Sequence, residues 1–162
     1  MSDLDKTAER ALFRERLKRI AVLIVVAWSV WQVESHIVVN TSESTNARVF
    51  WRIDGKPKKG DYVTLIFTHP FVGNDILRIT KQIRCVSGER LVRSGADFYC
   101  NSEWLVHARE KSRANQTLPQ FAWSGPVPQG KAFLAGNHND SFDSRYWGFA
   151  ETAKLERLLV IY

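Results

Sequence analysis

Apolar residues form one long run near the start of the chain. Residues 20–33 (IAVLIVVAWSVWQV) carry no charge, and the apolar character resumes at 37–39. A helix over 20–33 is only about 21 Å long, whereas a stretch from Leu17 to Val39 reaches the roughly 30 Å of a hydrocarbon core. The pattern therefore predicts an uncleaved transmembrane signal anchor over 20–39. A buried core helix and a cleaved signal peptide are the alternatives, although no small-x-small cleavage site follows the run.

From about residue 48 the pattern changes to short runs in which apolar and polar residues alternate, separated by turns rich in Gly, Pro and Ser. Such runs are typical of strands. The predicted strands are 49–53, 62–67, 76–86, 89–93, 97–101, 131–136 and 155–162. Residues 107–130 are polar and irregular, which indicates either a surface excursion or a segment that itself holds functional contacts. Within it, 123–128 (WSGPVP) is interpreted as an exposed edge or a partner contact. The predicted fold class is mainly β: a domain of several antiparallel strands preceded by one N-terminal transmembrane helix.

The positions of the basic residues predict how the chain is oriented across the membrane. Lys and Arg are dense before residue 20, and a basic flank stays on the cytoplasmic side of a membrane. We therefore expect a cytoplasmic N-terminus (1–19), a transmembrane anchor (20–39) and a periplasmic domain (40–162), in a single-pass protein of the bacterial inner membrane. The lipid bilayer is then an expected partner.

Composition argues against two classes of function. The 162 residues carry a formal net charge of +6, but no basic stripe interleaved with aromatic residues appears, so nucleic acid is not an expected partner. The four histidines are dispersed, and neither Cys85 nor Cys100 has a CxxC partner, so neither a metal site nor a cofactor is expected. The two cysteines could be buried thiols, but the inferred compartment favours a disulfide.

Three segments concentrate chemistry: 40–51 (NTSESTNARVFW), 79–91 (ITKQIRCVSGERL) and 136–149 (GNHNDSFDSRYWGF). The third mixes Gly, Ser, Asp and Arg with aromatic residues, a composition that suits a turn-rich loop held by an Asp–Arg pair. Composition alone leaves a plain surface loop open.

Together the three segments resemble the conserved boxes of type I signal peptidases, which are serine–lysine proteases that remove export signals. GNHNDSFDSRYWG resembles the box GDNRxxSxDSRxWG, with one residue fewer before the serine, and KQIRCVSGE is similar to the lysine box KRVVGLPGD. The stretch around SESTNARVF resembles the N-x-[ST]-x-S-x-P box of the TraF-like enzymes that mature conjugative pilin. The chain departs from these patterns at Asn46, Ser87, Glu89 and Asn137, none of which removes a reacting group.

The resemblance implies a role for each matching residue. Ser44 is the expected nucleophile and Lys81 the expected general base. The Ser42 hydroxyl and the Ser44 backbone N–H are expected to form the oxyanion hole, and Ser141 to orient the lysine. Asp143, Ser144 and Arg145 are expected to support the site. A lysine ordinarily has a pKa near 10.4, so this chemistry requires burial of its amine.

The implied activity is removal of a leader peptide from a membrane-inserted preprotein. The TraF-like features make a conjugative propilin the expected substrate, with other conjugation-apparatus proteins as further partners. Two rivals remain: a general signal peptidase for secreted proteins, and a catalytically idle structural component of a conjugation or secretion apparatus.

Overall fold

The computed structural model describes residues 3–42, 44–73 and 76–162, with side chains from Leu12 onward. It contains two α-helices, α1 (Asp3–His36) and α2 (Ser144–Trp147), and two short 3₁₀ helices, Pro70–Val72 and Thr152–Lys154. The strands are β1 (Ile37–Val39), β2 (Val49–Ile53), β3 (Tyr62–Phe67), β4 (Leu77–Val86), β5 (Arg90–Ser94), β6 (Asp97–Cys100), β7 (Glu103–His107), β8 (Ser124–Pro126), β9 (Lys131–Ala135), β10 (Ala150–Glu151) and β11 (Glu156–Val160). The chain divides into two units, Met1–Ile37 and Val38–Tyr162.

The first unit contains α1, which includes residues 20–36 of the predicted anchor. Among the described residues, no helix has a stretch both long enough and apolar enough to span a membrane. The predicted span over 20–39 counted residues 37–39 as helix, but these residues form strand β1.

The second unit contains two antiparallel sheets. The larger has the order β1-β2-β11-β3-β4-β9-β10, and the smaller has the order β7-β6-β5-β8. Strand β4 is an interior strand of the larger sheet and pairs with β3 on one side and β9 on the other. The predicted mainly β fold of antiparallel strands is therefore confirmed.

The two sheets share an apolar core. Phe133 of β9 and Phe98 of β6 are fully buried, and their rings pack at a tilt with centroids 5.0 Å apart. A disulfide joins Cys85 of β4 to Cys100 of β6, and both residues are fully buried. The bond therefore ties the strand that carries Lys81 to the smaller sheet.

Most predicted strands occur within one or two residues of their expected bounds. The sequence did not predict β7 (103–107), which ends where the region expected to be irregular begins, or β8 (124–126), which lies within that region. Strand β8 contains Pro126 and lies at an edge of the smaller sheet, where the missing N–H of proline is tolerated. The edge interpretation of 123–128 thus agrees with the structure.

Removal of the disulfide should lower stability without changing the fold. In the chain-entropy view, a bridge across a sequence separation of 15 contributes about 3 kcal/mol. We expect the Cys85→Ser/Cys100→Ser variant to lose about that much free energy of unfolding in a urea titration. Dithiothreitol should lower the stability of the wild type by a similar amount and leave the double variant unchanged. Equal stability of wild type and variant would contradict the prediction.

Candidate active site

The serine segment forms a tight turn between β1 and β2, organised by Asn40. The Asn40 carboxamide oxygen accepts hydrogen bonds from the Ser42 hydroxyl (2.8 Å) and the Ser42 backbone N–H (3.2 Å). Its amide nitrogen donates to the Thr45 hydroxyl (2.7 Å) and to the Ser42 carbonyl (3.0 Å). The Ser42 hydroxyl lies 3.1 Å from the Ser44 hydroxyl. Both serine hydroxyls are therefore held at one point of the surface.

Lys81 occupies an inward-facing position of β4. Side chains alternate across a strand, and Lys81 and Ile83 lie on the buried face, with Lys81 only 4% exposed. The Lys81 amine donates a 2.7 Å hydrogen bond to the Ser141 hydroxyl. Desolvation by burial is the largest effect on this amine, and it lowers the pKa of Lys81 from 10.5 to about 8. The neutral amine, which can accept a proton, is therefore about 300-fold more abundant at pH 7 than in an exposed lysine.

The segment with Ser141 is brought to the serine turn by backbone contacts. The Asn137 N–H donates a 2.8 Å hydrogen bond to the Ser44 carbonyl. A Cβ atom on Gly136 would overlap the Ser141 hydroxyl and lie 2.6 Å from the Ser44 carbonyl oxygen. Only glycine allows the backbone, Ser44 and Ser141 to approach so closely.

A buried ion pair holds this segment in shape. Asp143 and Arg145 are 0% and 1% exposed, and two guanidinium nitrogens donate to the carboxylate at 2.8 and 2.7 Å. Asp143 also accepts from the Gly136 N–H (2.8 Å) and caps α2. The Ser144 hydroxyl accepts a hydrogen bond from the Leu134 N–H of β9 (2.9 Å). All three residues therefore have structural contacts.

Two cavities border the serine turn. One, of about 340 Å³, is lined by Ser42, Ser44 and Lys81 together with apolar side chains of β1, β3 and β4. The other, of about 320 Å³, is lined by Ser42, Ser44 and Ser141 together with charged side chains of the segment between β7 and β8. Ser44 and Lys81 thus both line the first of these cavities.

Among the described residues, one group of side chains has the spacing of metal ligands: Cys85, Glu89 and Cys100. Both sulfur atoms belong to the disulfide, so they are not available as thiolate ligands. Glu89 instead bonds to the Val86 N–H and pairs with Lys59. This group therefore has a structural explanation.

Comparison with known proteins identifies the family. The family described as "Signal peptidase, peptidase S26" matches residues 14–159, nearly the whole chain. The chain belongs to this signal peptidase family. Members of this family are, in general, serine peptidases that remove leader peptides.

The other comparisons add little to this assignment. The crystal structure of a signal peptidase I from Enterococcus faecalis V583 is 24% identical, with a TM-score of 0.44; the match covers 67% of this chain and all of that one. No curated protein matches the chain significantly.

The structure adds two positions, Asn40 and Gly136, to the site residues chosen from sequence. Asn40 is the first residue of the N-x-[ST]-x-S pattern, so the sequence marks its position. Its hydrogen bonds to Ser42 and Thr45 could not be predicted from the sequence. Gly136 opens the third box, and its role depends on a contact with the distant Ser44. The Ser44–Ser42 and Lys81–Ser141 contacts bring together residues that the sequence resemblance had selected.

The lowered pKa of Lys81 should appear as a pH-dependent stability. Because the folded-state pKa is about 8 and the unfolded value 10.5, the unfolded chain binds more protons between these pH values. The free energy of unfolding of the wild type should therefore rise by about 3 kcal/mol from pH 8 to pH 10.5 relative to Lys81→Met. Urea titrations of both proteins measure this difference. Exposed Lys154→Met is the control and should follow the wild type; a wild-type curve parallel to that of Lys81→Met would refute the expectation.

The close approach at Gly136 predicts a second effect. A methyl group there must push apart Ser141 and the Ser44 carbonyl, which should cost about 1–3 kcal/mol of stability. Displacement of catalytic groups by about 1 Å can reduce turnover about 100-fold. We expect Gly136→Ala to remain folded but to show both losses, measured by urea unfolding and by peptide cleavage. Wild-type activity in this variant would show that the contact does not position the site.

Proposed function

We propose that this protein is a serine endopeptidase that removes the leader peptide of an exported preprotein, with Ser44 as nucleophile and Lys81 as general base. The observation that carries the proposal is the environment of Lys81. Its amine is buried, hydrogen-bonded to a hydroxyl and placed in the same cavity as Ser44. A lysine in such a place can be neutral near neutral pH, which is the requirement for a base.

The proposed reaction uses two acyl-transfer steps. The Ser44 oxygen attacks the scissile carbonyl while Lys81 accepts the hydroxyl proton, and the protonated Lys81 then gives that proton to the departing amine. Water, deprotonated by Lys81, next attacks the acyl-enzyme and releases the leader. The serine hydroxyl is regenerated with the proton returned by Lys81.

Two neighbouring serines serve this chemistry in the proposal. Ser42 lies 3.1 Å from Ser44 and is placed to donate a hydrogen bond to the oxyanion, together with the Ser44 N–H. Ser141 holds the Lys81 amine at 2.7 Å and so restricts its rotation. To accept the Ser44 proton, the Lys81 amine turns within the shared cavity, as catalytic contacts commonly tighten when substrate binds.

Within the family, we propose that this protein belongs to the TraF-like branch and that its substrate is a conjugative propilin. The shortened third box and the Asn40–Ser44 pattern support this choice over a general signal peptidase. We also propose that the domain acts on the periplasmic side of the bacterial inner membrane. The buried Cys85–Cys100 disulfide supports an oxidising compartment.

Co-expression with a candidate propilin tests the function. We expect the wild type to shorten the pilin, as read by mass spectrometry, and Ser44→Ala and Lys81→Met to leave it at full length. Ser141→Ala should reduce the rate about 10- to 100-fold, because the lysine remains but is less well oriented. Lys154→Ala, at an exposed site, is the control and should be fully active. Processing by both Ser44→Ala and Lys81→Met would refute the site.

The pH profile gives the same test a second readout. Since the neutral Lys81 amine is the base, kcat/KM should rise about tenfold per pH unit and level near pH 8, where its pKa lies. A profile that levels near pH 6 would instead point to a histidine. Cleavage of a conventional secretory preprotein but not of propilin would favour the general signal peptidase.

A further inference from the structure

The cavity of about 320 Å³ beside Ser44 has an unusual wall. Three of its lining side chains are cationic, Arg109, Lys111 and Arg113, whereas Asp140 is the one lining carboxylate among the described residues. Asp140 pairs with both Arg109 and Arg113. Among the described lining residues, lysine and arginine side chains therefore outnumber carboxylates beside the nucleophile.

The cationic side chains belong to an ordered arm, defined here as residues 108–121. Its two sides are joined by backbone bonds from Leu118 to Glu110 (2.8 Å) and from Ser112 to Gln116 (2.9 Å). The base of the arm is fixed because the Arg109 N–H donates to the Tyr146 hydroxyl (3.1 Å). Leu118 is buried in the core. The arm thus presents Lys111 and Arg113 in a defined place.

The two cavities share Ser42, Ser44 and Phe142, and their walls otherwise differ. They therefore meet at the nucleophile, and a peptide that crosses Ser44 passes from one into the other. The cavity with Lys81 has walls of Val38, Ile79 and other apolar side chains, which suit the small apolar end of a leader. When a leader lies there, the residues after the cut enter the cationic cavity.

We propose that the arm selects preproteins that carry an acidic side chain within the first few residues after the scissile bond. The carboxylate would lie against Lys111, with Arg113 beside it, where lysine and arginine donors offer charge-assisted hydrogen bonds. This inference rests on the proposed function and adds a substrate class to it. Lys111 and Arg113 act in it as specificity residues, without a part in bond cleavage.

Quenched fluorescent peptides with Ala-x-Ala before the cut are the probe. In this peptide series, one of the first four positions after the cut is varied at a time, and it carries Glu, Gln or Lys. With the wild type, we expect Glu to raise kcat/KM about fivefold over Gln at one or more positions, as for a partly exposed ion pair, and Lys to lower it. The Glu preference should shrink as salt is raised from 0.05 to about 0.5 M.

Charge-removing variants assign the preference to the arm. Lys111→Gln/Arg113→Gln should lower the ratio of kcat/KM for Glu over Gln peptides to about one, whatever its absolute rate. Lys154→Gln/Lys131→Gln removes two remote charges and should keep it. Equal cleavage of Glu and Gln peptides by the wild type, or a preference that survives Lys111→Gln/Arg113→Gln, would overturn the proposal.

A binding measurement separates this proposal from the proposed function. Fluorescence anisotropy of the Glu and Gln peptides with Ser44→Ala needs no cleavage. If the wild type cuts no peptide but Ser44→Ala binds Glu peptides about fivefold more tightly through Lys111 and Arg113, the peptidase proposal fails and the acidic site stands. If peptides are cut but neither cleavage nor binding depends on the acid, the acidic site alone fails.

Discussion

The geometry of the site depends on the burial of Arg145. Its guanidinium bonds to the Asp143 carboxylate and also donates to the backbone carbonyls of His107, Asn139, His138 and Ser141. An ion pair this deeply buried gains little net stability over apolar packing, but leaving either charge unpaired is costly. The loop can therefore adopt only conformations that satisfy every donor of Arg145. That requirement fixes the Ser141 carbonyl, and with it the hydroxyl that meets Lys81.

The same pair also sets the electrostatics of Lys81. The Asp143 carboxylate alone would raise the pKa of Lys81 by favouring its charged form, whereas the Arg145 guanidinium lowers it. Because the two charges lie together, their effects on Lys81 oppose each other, and desolvation remains the dominant influence. A buried carboxylate can therefore support the loop without keeping the lysine protonated. Arg145 thus has a mechanical role and an electrostatic one.

The sequence predicts features that depend on residues close together in the chain better than features that depend on contacts between distant residues. Strand positions follow from local alternation, so most strands were found, and the boxes around Ser44, Lys81 and Ser141 were found by resemblance. The end of α1 was predicted too late in the chain. Residues 37–39 are apolar, which suits a helix or a strand equally, and only their pairing in the larger sheet makes them a strand. The ordered arm was missed because polar composition does not show that Leu118 enters the core.

The fold divides the proposed chemistry from the proposed recognition. Lys81 and the serine turn lie on or between strands of the larger sheet, whereas the arm connects β7 and β8 of the smaller sheet. The Cys85–Cys100 bond and the shared core, to which Leu118 of the arm belongs, hold the two sheets in one unit. Exposed charges at the tip of the arm can change without disturbing the burial that lowers the Lys81 pKa. Substrate preference can therefore vary within this fold while the base stays the same.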